Sequence, residues 1–223
     1  MEQIGVLPVD LSIIAENWDR YIEGFGNTVM VSLLSLVLSF LLGTLVAVLR
    51  ISPFKALRAI SGVYVEFVRN IPLLLIIFFF YYGSSEFGLS LDGFTAGTIG
   101  LTIYTSAFIA EAIRAGILAV PAGQAEAARS SGLSYGQTMI HVVLPQAIKI
   151  VIPPLGNQFL NLIKNSSILG VIAGMDLMYF GDLINSDTLD TFNVYIGVAL
   201  FYLVLTIPLS LLVQYLERRM ARA

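Results

Sequence analysis

Cysteine is absent from the 223-residue chain, and histidine occurs once, as His141. The absence of cysteine excludes disulfide frameworks, cysteine-ligated zinc sites and thiol nucleophiles. The single histidine has no carboxylate or other metal-ligand partner near it in sequence, so it supports neither a His-Glu-x-x-His metal site nor a serine-protease triad. We therefore expect no catalytic residue and no metal site in this chain.

Charged residues are also scarce. They make up 12% of the chain, whereas soluble domains carry about 25%. Hydrophobic residues make up 57%. A surface with so few charges cannot stay solvated as a globular monomer, so lipid must cover much of it. The composition predicts an integral membrane protein.

Five long apolar stretches run along the chain, each near the roughly 20 residues that a helix needs to cross the hydrocarbon core. The predicted spans run over about residues 28–49, 63–82, 94–118, 148–173 and 194–213. Their apolar runs show no period of two, which excludes barrel strands. The predicted fold class is therefore an all-α membrane protein, a bundle of five transmembrane helices.

Prolines and glycines add local expectations to these spans. We expect Pro72 to bend span two, and Pro153-Pro154 to mark an irregular start of span four. The pairs Gly93-x-x-x-Gly97 and Gly170-x-x-x-Gly174 are typical of helices that pack closely in membranes.

Residues 1–26, ahead of the first span, show an amphipathic pattern. Over residues 10–25 apolar side chains recur at helical spacing, and Asp10 can cap the first turn. Trp18 and Tyr21 are the residue types found at the headgroup level. No basic segment precedes a short apolar core, so a signal peptide is not expected. The pattern predicts a helix lying on the membrane surface.

Acidic and basic residues separate to opposite sides of this topology. The N-terminal segment and the loops 83–93 and 174–193 hold one basic residue, Arg20. The acidic residues of that side are Glu2, Asp10, Glu16, Asp19, Glu23, Glu86, Asp92, Asp176, Asp182, Asp187 and Asp190. Apart from Lys164 within span four, the other basic residues lie on or near the opposite side, including those of the tail 218–223. The positive-inside rule places the N-terminus outside and the C-terminus in the cytoplasm.

The longest cytoplasmic segment, about residues 119–147, joins spans three and four. Residues 125–129 are good helix formers, Gly132 can end that helix, and Ser134 can cap the next turn. This pattern predicts a short helix, a turn and a second short helix.

The first of these short helices has a distinctive surface. Glu126 and Arg129 place opposite charges three residues apart. Ala127 and Ala128 are small enough to let another surface approach the backbone closely. Such a projection suits docking into a groove of a partner protein.

Glu126-Ala127-Ala128, followed by Gly132 and by Leu144-Pro145, resembles the EAA loop of type I ABC importer permeases. The family pattern usually has isoleucine two residues before the Leu-Pro pair, where this chain has Val142. Segments elsewhere in the chain indicate the subfamily.

These segments are similar to the polar amino acid permeases. They are Ala110 to Ile117, Gly123 to Ser130, Val65 to Leu74 and Pro154 to Asn157. The resemblance covers about residues 24–217, and it implies a type I transmembrane domain over residues 27–217. In that family the loop forms coupling helices that sit in a cleft of the ATP-binding subunit.

The resemblance also implies the residues that couple to the ATPase and the partners of the chain. The coupling residues are Glu126, Ala127, Ala128, Arg129 and Gly132. The implied partners are two cytoplasmic ATP-binding subunits, a second permease subunit that is identical or homologous, and an external solute-binding protein. The implied location is the inner membrane of a bacterium, and no nucleic acid is expected as a partner.

The chain contains no Gly-x-x-x-x-Gly-Lys-Ser/Thr phosphate loop. ATP and Mg²⁺ are therefore expected on the separate ATPase subunit, with no cofactor in this chain. The chain is expected to be a translocation subunit and not an enzyme.

Span four carries the richest set of polar side chains inside the bilayer. Asn157, Asn161 and Lys164 lie at positions i, i+4 and i+7, with Asn165 at the edge of that face and Gln158 about a quarter turn away. Because such groups are expensive against lipid, the stripe should face the bundle centre or the second permease. The amides are either a polar pathway for a zwitterionic amino acid or interhelical contacts worth about 1 kcal/mol each.

Two pairs of opposite charge lie near the cytoplasmic ends of spans two and three. Glu66 with Arg69, and Glu111 with Arg114, are spaced i, i+3. We expect both pairs to fix helix packing or loop geometry, since this spacing brings side chains together on a helix.

Other classes of membrane protein fit less well. An ion-coupled secondary carrier usually contains an inverted repeat, which five spans cannot provide in one chain. A membrane scaffold would not need a polar stripe in span four.

The substrate expectation follows from the stripe. Amides and one lysine favour a neutral or acidic amino acid, and Ile163 to Ser167 resembles glutamine and glutamate permeases. Arginine, histidine and cystine are the alternative substrates.

Overall fold

The computed structural model describes residues 9–221, and all regular secondary structure in this part of the chain is helical. In chain order the elements are α1 (Ser12–Glu16), α2 (Trp18–Arg50), α3 (Lys55–Arg69), α4 (Leu73–Tyr81), α5 (Gly83–Glu86), α6 (Gly93–Leu118), α7 (Ala122–Ser130), α8 (Tyr135–Thr138), a π-helix (Met139–Val143), α9 (Leu144–Asn165), a 3₁₀-helix (Ser166–Ile172), α10 (Leu177–Thr188) and α11 (Thr191–Ala221).

Four helices of the described residues are long and apolar enough to cross a membrane. They are α2, α6, α11 and the continuous helical stretch Tyr135–Ile172, which contains α9. The pair α3 and α4 provides a fifth crossing if the two are taken as one bent span. The predicted spans lie in these elements, although α2 and α11 extend beyond the predicted limits.

The second span is broken between α3 and α4, which meet at an angle of 100°. Pro72 has no backbone N–H, and the residue before a proline is pushed away from helical geometry. Asn70 covers the end of α3, since its side-chain amide donates to the Glu66 carbonyl at 2.6 Å. The expected bend at Pro72 is confirmed. It takes the form of a break that divides the span into two helices.

The start of span four differs from the expectation. Pro153 and Pro154 lie inside the continuous helix α9 and do not mark its start. The irregular segment is the π-helix Met139–Val143, which precedes Pro145 in the first turn of α9. Because Pro145 cannot donate to the carbonyl four residues earlier, the helix widens there.

The N-terminal segment is also arranged differently from the single predicted helix over residues 10–25. Asp10 accepts a hydrogen bond from the Ser12 N–H at 2.9 Å, but the N-cap of α1 is Leu11 and not Asp10 as expected. The chain breaks at Asn17, whose side chain donates to the Ile13 carbonyl at 3.1 Å. From Trp18 onward the helix continues into span one without interruption.

The aromatic residues of this segment pack on α11 near its start. Tyr21 is fully buried, stacks on Phe201 with ring centroids 5.3 Å apart, and donates to the Val194 carbonyl at 3.0 Å. Trp18 contacts the same Phe201 ring at 5.8 Å and keeps half of its surface exposed. The Tyr21 ring therefore joins α2 to α11, and its expected place at the headgroup level stays a prediction.

The segment 174–193, read from the sequence as a loop, contains helix α10. Asp176 caps this helix by accepting from the N–H groups of Met178 and Tyr179 at 3.1 and 3.2 Å. Its carboxyl is fully buried. Burial raises the pKa of Asp176 to about 6, because desolvation disfavours the charged form.

Helix α6 is the central helix, and it contacts α2, α3, α4 and α9. Small residues line its contacts, so neighbouring backbones approach closely. The expected close packing of Gly93 and Gly97 is confirmed, since an added Cβ would lie 2.1 Å from the Ile172 carbonyl oxygen and 2.4 Å from Leu169, respectively. Gly43 of α2 meets Ile109 of α6 in the same way, at 2.7 Å.

Gly43→Ala should destabilise the bundle, because the new methyl group would lie 2.8 Å from the Ser106 carbonyl oxygen as well. Overpacking of this kind costs about 1–3 kcal/mol. Gly26→Ala is the matched control on α2, since no atom lies within 4 Å of a Cβ there. Thermal unfolding of the permease in lipid nanodiscs should show a loss for Gly43→Ala alone, and equal stability of the two variants would contradict this contact.

Candidate functional site

The segment between α6 and α9 folds as the sequence predicts. Gly132 follows α7 with a φ of +90°, a left-handed conformation that glycine adopts without strain. The Gly132 N–H donates to the Arg129 carbonyl, and the Leu133 N–H donates to the Ala128 carbonyl, at 3.0 and 3.2 Å. These two bonds form a Schellman motif, which ends the helix and turns the chain.

The second short helix, α8, begins at the predicted cap. The Ser134 hydroxyl accepts from the Gln137 N–H at 3.3 Å, and the Gln137 side chain accepts from the Ser134 N–H at 2.9 Å. This reciprocal capping box fixes the direction of α8 after the turn. The predicted helix, turn and helix are thus all present.

Four of the five predicted coupling residues are exposed in and after α7. Glu126, Ala127 and Arg129 are exposed, as is Gly132 at the turn. Ala128 is 8% exposed and faces the permease itself. Its expected role in coupling to the ATPase stays a prediction, and in this chain its methyl group packs inward. Since residues three apart share a helix face, Ala128 lies on the side of Ala125, which packs on the bundle.

The polar stripe of span four lies along α9. Asn157, Asn161 and Lys164 are exposed in the isolated chain, and Gln158 and Asn165 are half-buried. None of the five side chains forms a hydrogen bond or ion pair within residues 9–221. The stripe therefore does not hold the helices of one chain together, and it does not face this chain's own core.

The remaining surface of α9 packs inside the bundle. Val151, Gly156 and Leu162 are buried. An added Cβ at Gly156 would lie 2.6 Å from Val213 of α11. The stripe is thus held on a helix that is fixed by its opposite side, with its polar groups free to meet a second molecule.

A cluster of charges lies near the C-terminal ends of α2 and α6. Glu111 forms the expected ion pair with Arg114, at 2.6 Å, and a second pair with Arg50 of α2. The Arg50 side chain is 13% exposed, so the pair is largely withdrawn from solvent. Sequence reasoning missed Arg50, because it lies 61 residues away from Glu111.

The second expected pair, Glu66 with Arg69, is not formed. The Arg69 guanidinium instead lies 5.4 Å from the centre of the Phe108 ring of α6. A cation over an aromatic face is attracted by the ring quadrupole. Arg69 still fixes packing between α3 and α6, by a different contact from the one predicted.

Within residues 9–221, no group of three His, Cys, Asp or Glu side chains is placed to hold a metal ion. The polar groups that stand out are therefore the exposed face of α7, the stripe of α9 and the charge cluster at Glu111.

A family model described as "Binding-protein-dependent transport system inner membrane component" matches residues 13–222. The chain belongs to this family. Two relatives from Bacillus subtilis (strain 168) share most of its length. The probable glutamine ABC transporter permease protein GlnM is 64% identical over 215 residues, which are 96% of this chain and 100% of that protein. The probable glutamine ABC transporter permease protein GlnP is 40% identical over 200 residues, 88% of this chain and 92% of that protein.

A solved structure shares the fold closely. The crystal structure of an amino acid ABC transporter with histidines matches with a TM-score of 0.90 and 38% identity, covering 96% of this chain and 100% of that chain. The predicted fold class, the type I ABC importer permease, is confirmed. The chain is thus similar over nearly its whole length to translocation subunits of ABC transporters.

Glu111→Gln should destabilise this permease, because Arg50 and Arg114 would lose the carboxylate that both contact. We expect a loss of about 2 kcal/mol, as for a charged hydrogen-bond partner removed from a partly buried site. Thermal unfolding in nanodiscs measures the loss.

Glu66→Gln is the matched control for this variant, since the Glu66 carboxylate forms no ion pair within the described residues. Its effect should stay within about 0.5 kcal/mol. A loss of the same size in both variants would contradict a structural role of the Glu111 cluster.

Proposed function

We propose that this permease imports a polar amino acid, with glutamine as the first candidate and glutamate as the second. The observation that carries the proposal is the stripe of polar side chains on α9, none of which has a partner within residues 9–221. Polar groups without partners inside a membrane mark transport pathways more often than lipid-facing surface.

The chemistry of the stripe supports a neutral or acidic substrate. Lys164 offers a cation for the α-carboxylate, and the amides of Asn157 and Asn161 offer both donors and acceptors. Helix α9 carries no acidic residue that could pair with a cationic side chain. The names of GlnM and GlnP, both given as probable glutamine permeases, support the same choice. Arginine, histidine and cystine are the alternatives.

A second permease subunit is part of this proposal. An exposed polar stripe within a membrane span needs a cover other than lipid, and a facing copy or homologue provides it. GlnM and GlnP of one organism are both similar to this chain, which supports a pair of homologous permeases. An external solute-binding protein would deliver the substrate, in keeping with the family description.

We further propose that α7 docks on two cytoplasmic ATP-binding subunits, one for each permease, which would bind ATP and Mg²⁺. Through this contact α7 would transmit their ATP-driven movement to the membrane helices. Glu126, Ala127 and Arg129 form the exposed contact surface. Gly132 sets the turn that presents it, and Ala128 attaches it to the bundle. The surface is small, polar and rigidly capped, which suits a contact that must transmit force.

The proposed orientation in the bacterial membrane has the N-terminus outside and α7 in the cytoplasm. Because the chain contains no cysteine, single cysteines report accessibility without background. In intact cells, a membrane-impermeant thiol reagent should label Asp187→Cys in α10 and should not label Ser131→Cys after α7. The reverse pattern of labelling would overturn the orientation.

Coupling is tested by co-isolation of the ATPase. Glu126→Lys reverses a charge on the exposed surface, and Gly132→Asp places a side chain at a φ of +90°, a conformation that L residues rarely adopt. Both should reduce the amount of ATPase that is purified with the permease and should reduce transport.

Gly123→Ala is the control for these variants, since it lies in α7 and no atom is within 4 Å of a Cβ there. It should keep the ATPase bound. If Glu126→Lys and Gly132→Asp also keep the ATPase bound and transport intact, the proposed coupling surface is wrong.

The role of the stripe is tested at Lys164. Lys164→Met should raise the glutamine concentration for half-maximal uptake by roughly tenfold, as expected for the loss of a charged hydrogen bond. Lys149→Met, at the other end of the same helix, is the matched control and should leave uptake unchanged. An unchanged concentration for Lys164→Met, with normal amounts of permease in the membrane, would contradict the pathway.

A further inference from the structure

An apolar groove of about 460 Å³ lies between α2, α9 and α11. Its walls come from α2 and α11, and its floor comes from α9 through Phe159, Leu162 and Ile163. Every lining side chain is apolar except that of Ser32. All three helices belong to the membrane-spanning set, so the groove lies inside the bilayer.

The groove exists because α2 and α11 separate over α9. The two helices meet near their outer ends, where Phe201 packs against Tyr21 and Phe25 with centroid distances of 5.3 and 5.7 Å. Beyond that contact the next wall residues, Val29 of α2 and Val204 of α11, line open space. From Val204 to Leu212 the wall is roughly 12 Å long, at the rise of an α-helix.

Ser32 contributes to the open space. It is 6% exposed, and its hydroxyl has no hydrogen-bond partner within residues 9–221. A longer apolar side chain at this position would occupy the groove. Since no hydrogen bond would be lost, such a change would cost little beyond the filled volume.

The mouth of the groove is continuous with the bilayer-facing surface. Leu33, Val204 and Leu212 form its rim and are 58%, 61% and 53% exposed. Ile207 and Leu211 of α11 continue this apolar surface beside the rim, and both are exposed. Hydrocarbon is therefore the phase that adjoins the opening.

The polar stripe lies on the other side of α9. At 100° per residue, the floor residues Phe159 and Ile163 point roughly 160° away from the centre of the stripe around Asn157 and Asn161. A second permease that covers the stripe would thus leave the groove open to lipid. Water is excluded as its content, because a cavity lined by apolar groups stays dry.

We propose that this groove is a binding site for one acyl chain of a membrane lipid, held between α2, α9 and α11. An empty opening would forfeit dispersion contacts along its whole lining, and a chain of methylene groups restores them. The bound chain would press on the back of the helix that carries the polar stripe. The proposed lipid site depends only on how these three helices pack in the membrane. Its test is therefore independent of which substrate the permease transports.

The experiment uses the permease purified with its partner subunits, in nanodiscs that contain a trace of phosphatidylcholine with a photoreactive diazirine in its acyl chain. After irradiation, mass spectrometry of peptides locates the adducts. We expect adducts to concentrate on Leu36 and Leu209 in the groove. Leu41 and Val48, which are 62% and 55% exposed on the same helix α2, report ordinary bilayer contact.

Two variants fill the groove. Ser32→Leu should lower the groove adducts about tenfold, because its side chain takes the space of two or three methylene groups. Leu36→Phe should lower them by a second route if Ser32→Leu fails to fold. Leu38→Phe is the matched control, since Leu38 is 46% exposed outside the groove, and it should leave the adducts unchanged.

Two results would overturn the proposal. Equal adduct yields at Leu36 and at Leu41 would mean ordinary bilayer contact and no site. Missing groove adducts, together with a disulfide between two permease subunits that carry Leu36→Cys, would mean that a second copy covers the groove. Because the chain has no native cysteine, any such disulfide involves the introduced residue.

Discussion

The close approach of helices to α6 is the constraint on which the rest of this structure depends. Gly43 of α2 and Gly93 of α6 let backbones and branched side chains meet at distances that no Cβ would tolerate. At the N-terminal end of α6, Asp92 caps the helix by accepting from the Thr95 N–H at 2.9 Å. Near the C-terminal end, Glu111 ties α6 to α2 through Arg50. Helix α7 follows directly in the chain, so a displacement of α7 would act on this central helix.

Helix α9 packs on this core and has two different faces. Its polar face leaves Asn157, Asn161 and Lys164 without partners in this chain, as a surface that meets substrate or a second permease requires. Its apolar face lines the groove below the contact between Tyr21 and Phe201. What occupies the groove can therefore affect how the polar face is presented, through one rigid helix.

Much of this arrangement follows from local sequence. Long apolar runs predict the spans. Gly132 and Ser134 predict the turn and the cap in the segment between α6 and α9, because each acts within a few residues. The relation of this segment to its family was likewise evident from Glu126-Ala127-Ala128 and its spacing to Gly132. Such features need no knowledge of which helices become neighbours.

The features that sequence reasoning missed depend on distant contacts. Arg50 pairs with Glu111 only because α2 and α6 lie side by side, and Ala128 is buried only because α7 rests on the bundle. Tyrosine is a residue type common at membrane interfaces, but the sequence does not show that Phe201 and Val194 enclose Tyr21. Each depends on tertiary packing, which overrides local pattern.

Stimulation of ATP hydrolysis by the transporter in liposomes tests the central claim most directly. The permease with its ATPase subunits and cognate binding protein would be supplied in turn with each proteinogenic amino acid. The account predicts that glutamine gives the largest stimulation and glutamate the next, because the polar stripe offers amides and a lysine. Stimulation that is largest with arginine or lysine, or that is absent with every amino acid, would contradict it.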